Sequence, residues 1–451
     1  YYFVNSSGAK ITNDWRLTTP YDDESADEEW YYFKSNGKRA ENEKITYKGK
    51  SYYFDTDGKM LTGWVTTGDG TSSVNEASGY EKDHTFYCDE TGARVEGAWV
   101  KDVEPGTDDD DADADEYWYY LKKATGKPAT GKQSNINGQI YLFNNEGQMQ
   151  HGWVAATSAD EEQPMSAAGD FDVYYCGDED DGHAKKNKWV KTWLPDDTNE
   201  EDDDKEWFWF DKEGKLFRAS ENKKNSVETA ADAEKYKLDE GTLTSDDGKV
   251  AKLIGKKKVN SKDYWFRDDG VMLSKFYKIN DAMFYFGGAD DGSMKTGSQS
   301  IKDNAGDTYK FYFYTKDQTT DKYQTPKAGN KLKKGAGVVG NQSNKLYYYG
   351  LLLTADDYKY QVVTLKDNDG QNVKFIINSN GSIQHSYGTT YKEDGQDLIV
   401  VDEVLGKEYK DSEGNAQTGT AKYVEDGQYK YGFKSGVENK VSDVDLTKFY
   451  N

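Results

Sequence analysis

An aromatic triplet followed four or five residues later by glycine recurs along most of this 451-residue chain, and no other feature constrains its fold as tightly. It stands as Tyr1-Tyr2-Phe3 with Gly8, Tyr31-Tyr32-Phe33 with Gly37, Tyr52-Tyr53-Phe54 with Gly58 and Phe86-Tyr87-Cys88 with Gly92. Further copies are Tyr119-Tyr120-Leu121 with Gly126, Tyr141-Leu142-Phe143 with Gly147, Tyr174-Tyr175-Cys176 with a delayed Gly182, Phe208-Trp209-Phe210 with Gly214, Tyr264-Trp265-Phe266 with Gly270 and Phe284-Tyr285-Phe286 with Gly292. Three aromatic residues closed by a glycine turn describe a short strand. The fullest copies run on as Gly58-Lys59-Met60-Leu61-Thr62-Gly63-Trp64 and Gly147-Gln148-Met149-Gln150-His151-Gly152-Trp153, so a second strand starts at Gly-Trp and pairs with the next triplet. Met272 and Met294 fill the same slot as Met60 and Met149. A hairpin this small cannot bury its own face and must stack on its neighbours. The expected fold is therefore all-β, an elongated β-solenoid of stacked β-hairpins.

A longer period overlies the short one. The middle residue of the triplets falls at 32, 53 and 87, then 120, 142 and 175, then 209, which makes a three-hairpin super-repeat of about 88 residues in the order long, short, long. The short hairpins turn through Tyr47-Lys48-Gly49-Lys50 and Ile136-Asn137-Gly138-Gln139, the second a strong hairpin signal. In the long ones an acidic insertion replaces the turn, beginning at Pro20, Pro105 and Pro195. Beyond about residue 220 the pattern decays without stopping, as in Phe375-Ile376-Ile377 with Gly381 and Ile383, and Gly414 with Ala416. This suggests an aromatic-rich array over 1–220, degenerate repeats over 221–330, and a Trp-less region over 331–451 that is either more repeats or a separate β-domain.

Net charge is −24, yet 14% of residues are aromatic, with 36 Tyr and 11 Trp, so a folded chain with an aromatic core is expected rather than disorder. No basic tract offers a footprint for nucleic acid, and no apolar run is long enough to insert in a membrane as a helix. The chain opens inside a motif at Tyr1 and is expected to be a fragment or mature form. His84, His151, His183 and His385 are scattered, with no metal-ligand spacing or nucleophile motif, so no enzyme is expected. Acidic runs such as Asp108 to Asp111 and Asp202 to Asp204 offer oxygen ligands for Ca²⁺ but lack regular loop spacing, so solvated loops and no cofactor are expected. Cys88 and Cys176, one super-repeat apart, are expected to be free and buried.

The run from Gly63-Trp64-Val65 to an aromatic triplet, then Asp-x-x-Gly-Lys-Met and a new Gly-Trp, resembles the cell-wall-binding or choline-binding repeats of Gram-positive surface proteins, related to the glucan-binding and clostridial toxin repeats. The resemblance covers residues 1 to 300 best. It implies ligand cages between successive hairpins, with two Trp from one hairpin, an aromatic from the next and the slot methionine as floor. A quaternary ammonium, which has no hydrogen bond to donate, is held there by aromatic faces. Carried over, the Gly-Trp position holds Trp15, Trp64, Trp99, Trp153 and Trp193, and the position before the triplet holds Trp30, Trp118 and Trp207. Trp15/Trp30, Trp99/Trp118 and Trp193/Trp207 then supply both walls, with Tyr52, Tyr53 and Met60 offered to the first pair and Tyr141 and Met149 to the second. Any single ring in this set is equally served by core packing; paired Trp at a repeating place point to a cradle. The resemblance implies a secreted, cell-surface protein that binds wall teichoic acid or polysaccharide. The alternatives are a glucan- or host-glycan-binding adhesin and a structural spacer or fibre subunit capable of self-assembly.

Overall fold

The computed structural model describes residues 1–23, 25–68, 73–107, 111–156, 162–163, 172–195, 205–219, 227–280, 282–317, 334–355, 359–366 and 372–384, together with strands at 390–393, 396–402, 423–425 and 430–432. Among these residues there is no helix, and every sheet is built from antiparallel hairpins. The chain divides into two compact units, one of residues 1–205 with 209–216 and one of 206–208 with 217–451.

In the first unit the hairpins follow one another as the repeat predicts. The first pairs Asp14–Thr18 with Glu29–Phe33, the second Glu43–Tyr47 with Lys50–Phe54, and the third Gly63–Thr66 with Thr85–Cys88. The fourth pairs Ala98–Asp102 with Tyr117–Leu121, the fifth Gly131–Ile136 with Gln139–Phe143, and the sixth Trp153–Ala156 with Asp172–Tyr175. The short hairpins turn through residues that both take positive φ, Lys48 and Gly49 at 47° and 81° and Asn137 and Gly138 at 52° and 82°. Such turns match the right-handed twist of the flanking strands. In the third and sixth hairpins the insertion returns a two-residue strand, Asn75–Glu76 and Glu162–Gln163, to the edge of the first strand.

After several of the triplets an Asp or Asn closes the turn with its own side chain. Asp55 Oδ1 accepts from the backbone N–H groups of Asp57 and Lys59, and Asn144 Oδ1 does the same for Glu146 and Gln148. The slot residue then bridges back to the triplet, Met60 to Phe54 and Met149 to Phe143. Its N–H reaches the preceding hairpin, at the carbonyl of the residue just before that hairpin's triplet. Met60 donates to Trp30 (2.9 Å), Arg94 to Ser51 (2.8 Å), Met149 to Trp118 (2.8 Å), Ala184 to Ile140 (2.8 Å) and Leu216 to Val173 (2.7 Å). These hydrogen bonds tie hairpins to the ones before them, except at the fourth, where Pro128 fills the slot and has no N–H to donate, while aromatic rings fill the space between.

The second unit keeps this lattice around an element the repeat did not announce. Two long strands, Val227–Asp239 and Thr242–Val259, join Lys262–Arg267, Phe276–Ile279 and Ala282–Tyr285 in a five-stranded sheet. A second five-stranded sheet spans Gly297–Lys302 to Leu351–Leu352, and a hairpin follows from Tyr360–Lys366 and Asn372–Asn378. Ile383 bridges to Ile377 as Met60 does to Phe54, so the Trp-less region retains the turn geometry there. The repeat read at Gly414 and Ala416 lies outside the described residues. Cys88 and Cys176 are free and buried, each thiol pushed up by burial to about 12.

Candidate functional site: paired aromatic cradles

Two places in the first unit share one arrangement. In the first, the rings of Trp15 and Trp30 stand 6.5 Å apart at 81°, and Trp15 meets Tyr52 of the next hairpin at 4.9 Å and 65°. In the second, Trp99 and Trp118 stand 6.4 Å apart at 87°, and Trp99 meets Tyr141 at 4.8 Å and 63°. Met60 and Met149 pack in the corresponding clusters, each held by its N–H on the carbonyl of the second Trp. Neither methionine could sit as it does without a glycine in the hairpin beyond. A methyl group on Gly92 would strike the sulfur of Met60, and one on Gly182 the sulfur of Met149, both at positive φ. Each cradle therefore draws on three consecutive hairpins.

The two are bordered differently. Trp30 is 43% exposed and its register partner Leu17 is 45% exposed, so the first cradle has an apolar rim. At the second, the turn after Cys176 is two residues longer than the one after Cys88, and it carries Asp180 to the Trp118 indole, which donates to its Oδ1 at 3.2 Å. That turn is braced by Asp181, which bonds Lys185 and His183. Burial alone would raise the Asp181 carboxyl, but the hydrogen bonds from Lys185 and His183 outweigh it and hold it below the usual carboxylate range. Tyr141 is raised by burial and then by the Asp181 charge.

The remaining residues proposed from sequence go elsewhere. Tyr53 lies on the opposite face of its strand from Tyr52, 1% exposed, stacked on Phe86 at 5.4 Å with its hydroxyl accepting from Arg94. Trp64, 7% exposed, lies in a closed version of the cradle: Thr85 replaces the second Trp, Tyr119 covers the ring at 4.7 Å, and the indole donates to Val103 O at 2.9 Å. Trp153 is closed in the same way, with Val173 in the second position and its indole donating to Trp193 O at 2.9 Å. Trp193 thus lies one residue beyond the strand Lys188–Thr192, where Val103 lies beyond Ala98–Asp102. The register gives the place of Trp15 and Trp99 to Trp189 instead, whose ring meets Trp209 at 5.2 Å and 61° as Trp99 meets Tyr120 at 5.2 Å and 58°.

In the second unit, Trp207 keeps the pattern. Its carbonyl accepts from Met272 at 2.9 Å, its indole donates to Asp290 at 2.9 Å, and Gly292 makes room for Met272. Tyr264 takes the position of Tyr52 and Tyr141, two residues before the aromatic that bridges to the slot methionine. Sequence reasoning missed Asp180, Trp189, Tyr264, Asp290 and the role of Met272. The late glycines at 182 and 292, six residues after their triplets rather than four or five, were the available signal for the acidic turns.

Among the described residues no cluster of three or more His, Cys, Asp or Glu could hold a metal ion, and no helix is long and apolar enough to cross a membrane. Residues 108–110 and 196–204 of the acidic insertions lie outside the described residues.

Residues 25–38, 45–60 and 257–272 match the family model described as "Putative cell wall binding repeat". Among similar proteins, a "Putative endo-beta-N-acetylglucosaminidase" of Streptococcus pneumoniae is 29% identical over 31% of this chain and 16% of its own length. "Glucosyltransferase-S" of Streptococcus mutans is 30% identical over 34% of this chain and 8% of its own length. "Glucosyltransferase-I" of Streptococcus downei is 25% identical over 98% of this chain and 26% of its own length. Similar solved structures include the modular autolysin LytC of Streptococcus pneumoniae, at 16% identity and a TM-score of 0.35 over 74% of this chain and 53% of that one. Choline binding protein F of the same species matches at 17% identity and a TM-score of 0.31 over 72% and 96%. The chain spans about a sixth of the length of the first of these relatives. The three segments that match the cell wall binding repeat hold Trp30, Tyr52 with Met60, and Tyr264 with Met272.

Proposed function

We propose that this chain is a non-catalytic binding array, displayed outside the cell on a Gram-positive surface, whose open cradles hold the quaternary ammonium groups of choline-bearing wall polymers such as teichoic acid and so anchor a longer parent protein. The observation that carries this reading is the recurrence, at Trp15/Trp30/Tyr52/Met60 and at Trp99/Trp118/Tyr141/Met149, of near-perpendicular aromatic faces above a methionine floor. A trimethylammonium group makes no hydrogen bond and gains from several ring faces at once. Trp207 with Tyr264 and Met272 supports a third such place. Within each unit the hairpins are read as stacked turns of a β-solenoid, a view supported by the recurring slot N–H bonds from hairpins such as those of Met60, Arg94, Met149 and Met272 to the ones before. Any catalytic activity belongs, in this reading, to other parts of a longer protein. Equilibrium titration with choline, followed by Trp fluorescence, is expected to saturate at roughly millimolar concentration. Trp15→Ala and Trp99→Ala should each remove part of the response, and its absence in the unaltered protein would overturn the reading.

A second reading has its own support. The similarity to the Streptococcus downei glucosyltransferase runs along nearly the whole chain, and Lys101, Glu116 and Asp180 beside Trp118 suit the hydroxyls of a glucan stacked on that ring. Retention on insoluble glucan that survives excess choline would favour it.

A further inference from the structure

We propose that Lys101 tunes the ligand preference of the second cradle: it places the protein's own ammonium at the Trp118 face and so weakens the hold on quaternary ammonium ions there, relative to the first cradle, in favour of an uncharged, hydroxyl-bearing ligand. This deepens the function proposed above and rests on it. The two cradles share rings, methionine and backbone register, and among their differences is the residue that faces the second Trp across the hairpin. Opposite Trp30 stands Leu17; opposite Trp118 stands Lys101.

The Lys101 ammonium lies 5.9 Å from the centre of the Trp118 ring, at the outer reach of a cation–π contact. It is also 3.8 Å from Asp180 and 4.0 Å from Glu116. Asp180 is bonded to the Trp118 indole as well, so one carboxylate grips both the ring and the ammonium beside it. An incoming cation would have to approach a ring face that already has a positive neighbour, and it would find both nearby carboxylates engaged. A hydroxyl group meets no such conflict, because ammonium and carboxylates can respectively donate to it and accept from it. Replacing Lys101 by leucine recreates the rim of the first cradle and also frees two carboxylates to attract a cation.

The test isolates each cradle in the full chain. In a Trp207→Ala background, which silences the third place, Trp99→Ala leaves the first cradle to report and Trp15→Ala the second; both are titrated with choline and with its uncharged carbon isostere, 3,3-dimethylbutan-1-ol. Choline is expected to bind the second cradle more weakly than the first. In the Trp15→Ala background, Lys101→Leu should tighten choline about fivefold while leaving the isostere nearly unmoved, and Lys101→Arg, which keeps the charge, should leave choline weak. The inference is overturned if choline binds both cradles alike and Lys101→Leu changes nothing, or if choline and isostere tighten together, which would mark a packing effect. Should the first cradle show no saturable choline response, the proposed function falls and takes this inference with it. A response there with an unmoved second cradle sinks the inference alone.

Discussion

A methionine that needs a glycine in the next hairpin is the tightest constraint seen at the level of single residues. Gly182 has φ of 56°, and a methyl there would collide with the Met149 side chain. Gly182→Ala is therefore expected to cost about 1–3 kcal/mol in urea unfolding, from backbone strain and displaced packing together. It should also weaken ligand binding at the second cradle more than at the first. The buried thiols make a separate prediction. With folded values near 12, Cys88 and Cys176 stay neutral at pH 8 and should resist a thiol reagent until the protein unfolds. Because those values are raised, the stability they reflect is complete below the unfolded thiol value and is lost as pH climbs through the folded one. Alkaline melting between about pH 9 and 12 should become less steep in the Cys88→Ala, Cys176→Ala double variant, as read by circular dichroism against pH.

Turn chemistry governs the hairpin as an element, and it explains what could be read in advance. The triplet, the Asp or Asn after it and the glycine are local in sequence, so strands such as Lys50–Phe54 and Gln139–Phe143 were legible. Removing the acceptor in Asn144→Ala leaves two backbone N–H groups short of a partner and should lower stability by about 1–2 kcal/mol. The acidic turn at Asp181 behaves differently. Its carboxyl is held low, so the stability it lends is present above the unfolded carboxylate value and is lost as pH falls through the folded one. Asp181→Asn should flatten the acid limb of unfolding below about pH 4, where the unaltered protein loses this contribution. What escaped the sequence was decided by pairing. Trp189 and Trp193 are four residues apart with no Gly-Trp to choose between them, and only the strand register puts Trp189 in the wall position. The strands Val227–Asp239 and Thr242–Val259 carry no triplet, so nothing in the repeat marked them.

For the molecule as a whole, charge and rings are divided between different parts of the chain. The aromatic residues lie in hairpins, and much of the −24 charge sits in insertions that join strands. The paired Trp could be named from sequence because they recur with the super-repeat; Lys101 and Asp180 could not, since each reaches Trp118 across strands or hairpins far apart in the chain. If the cradles are the working sites, the Trp15→Ala, Trp99→Ala double variant should lose most of the choline-induced fluorescence change in the first unit. Its circular dichroism should still report β-structure.

The contact between slot methionine and distant glycine has one more consequence. The first cradle runs from Trp15 to Gly92 and the second from Trp99 to Gly182, so neither borrows a residue from the other. The block that was repeated in the chain is thus also the smallest block that completes a site. Duplication of such a block adds one whole cradle rather than extending an old one, and each copy is free to change its rim, as Leu17 and Lys101 have done, without disturbing the grip of the next.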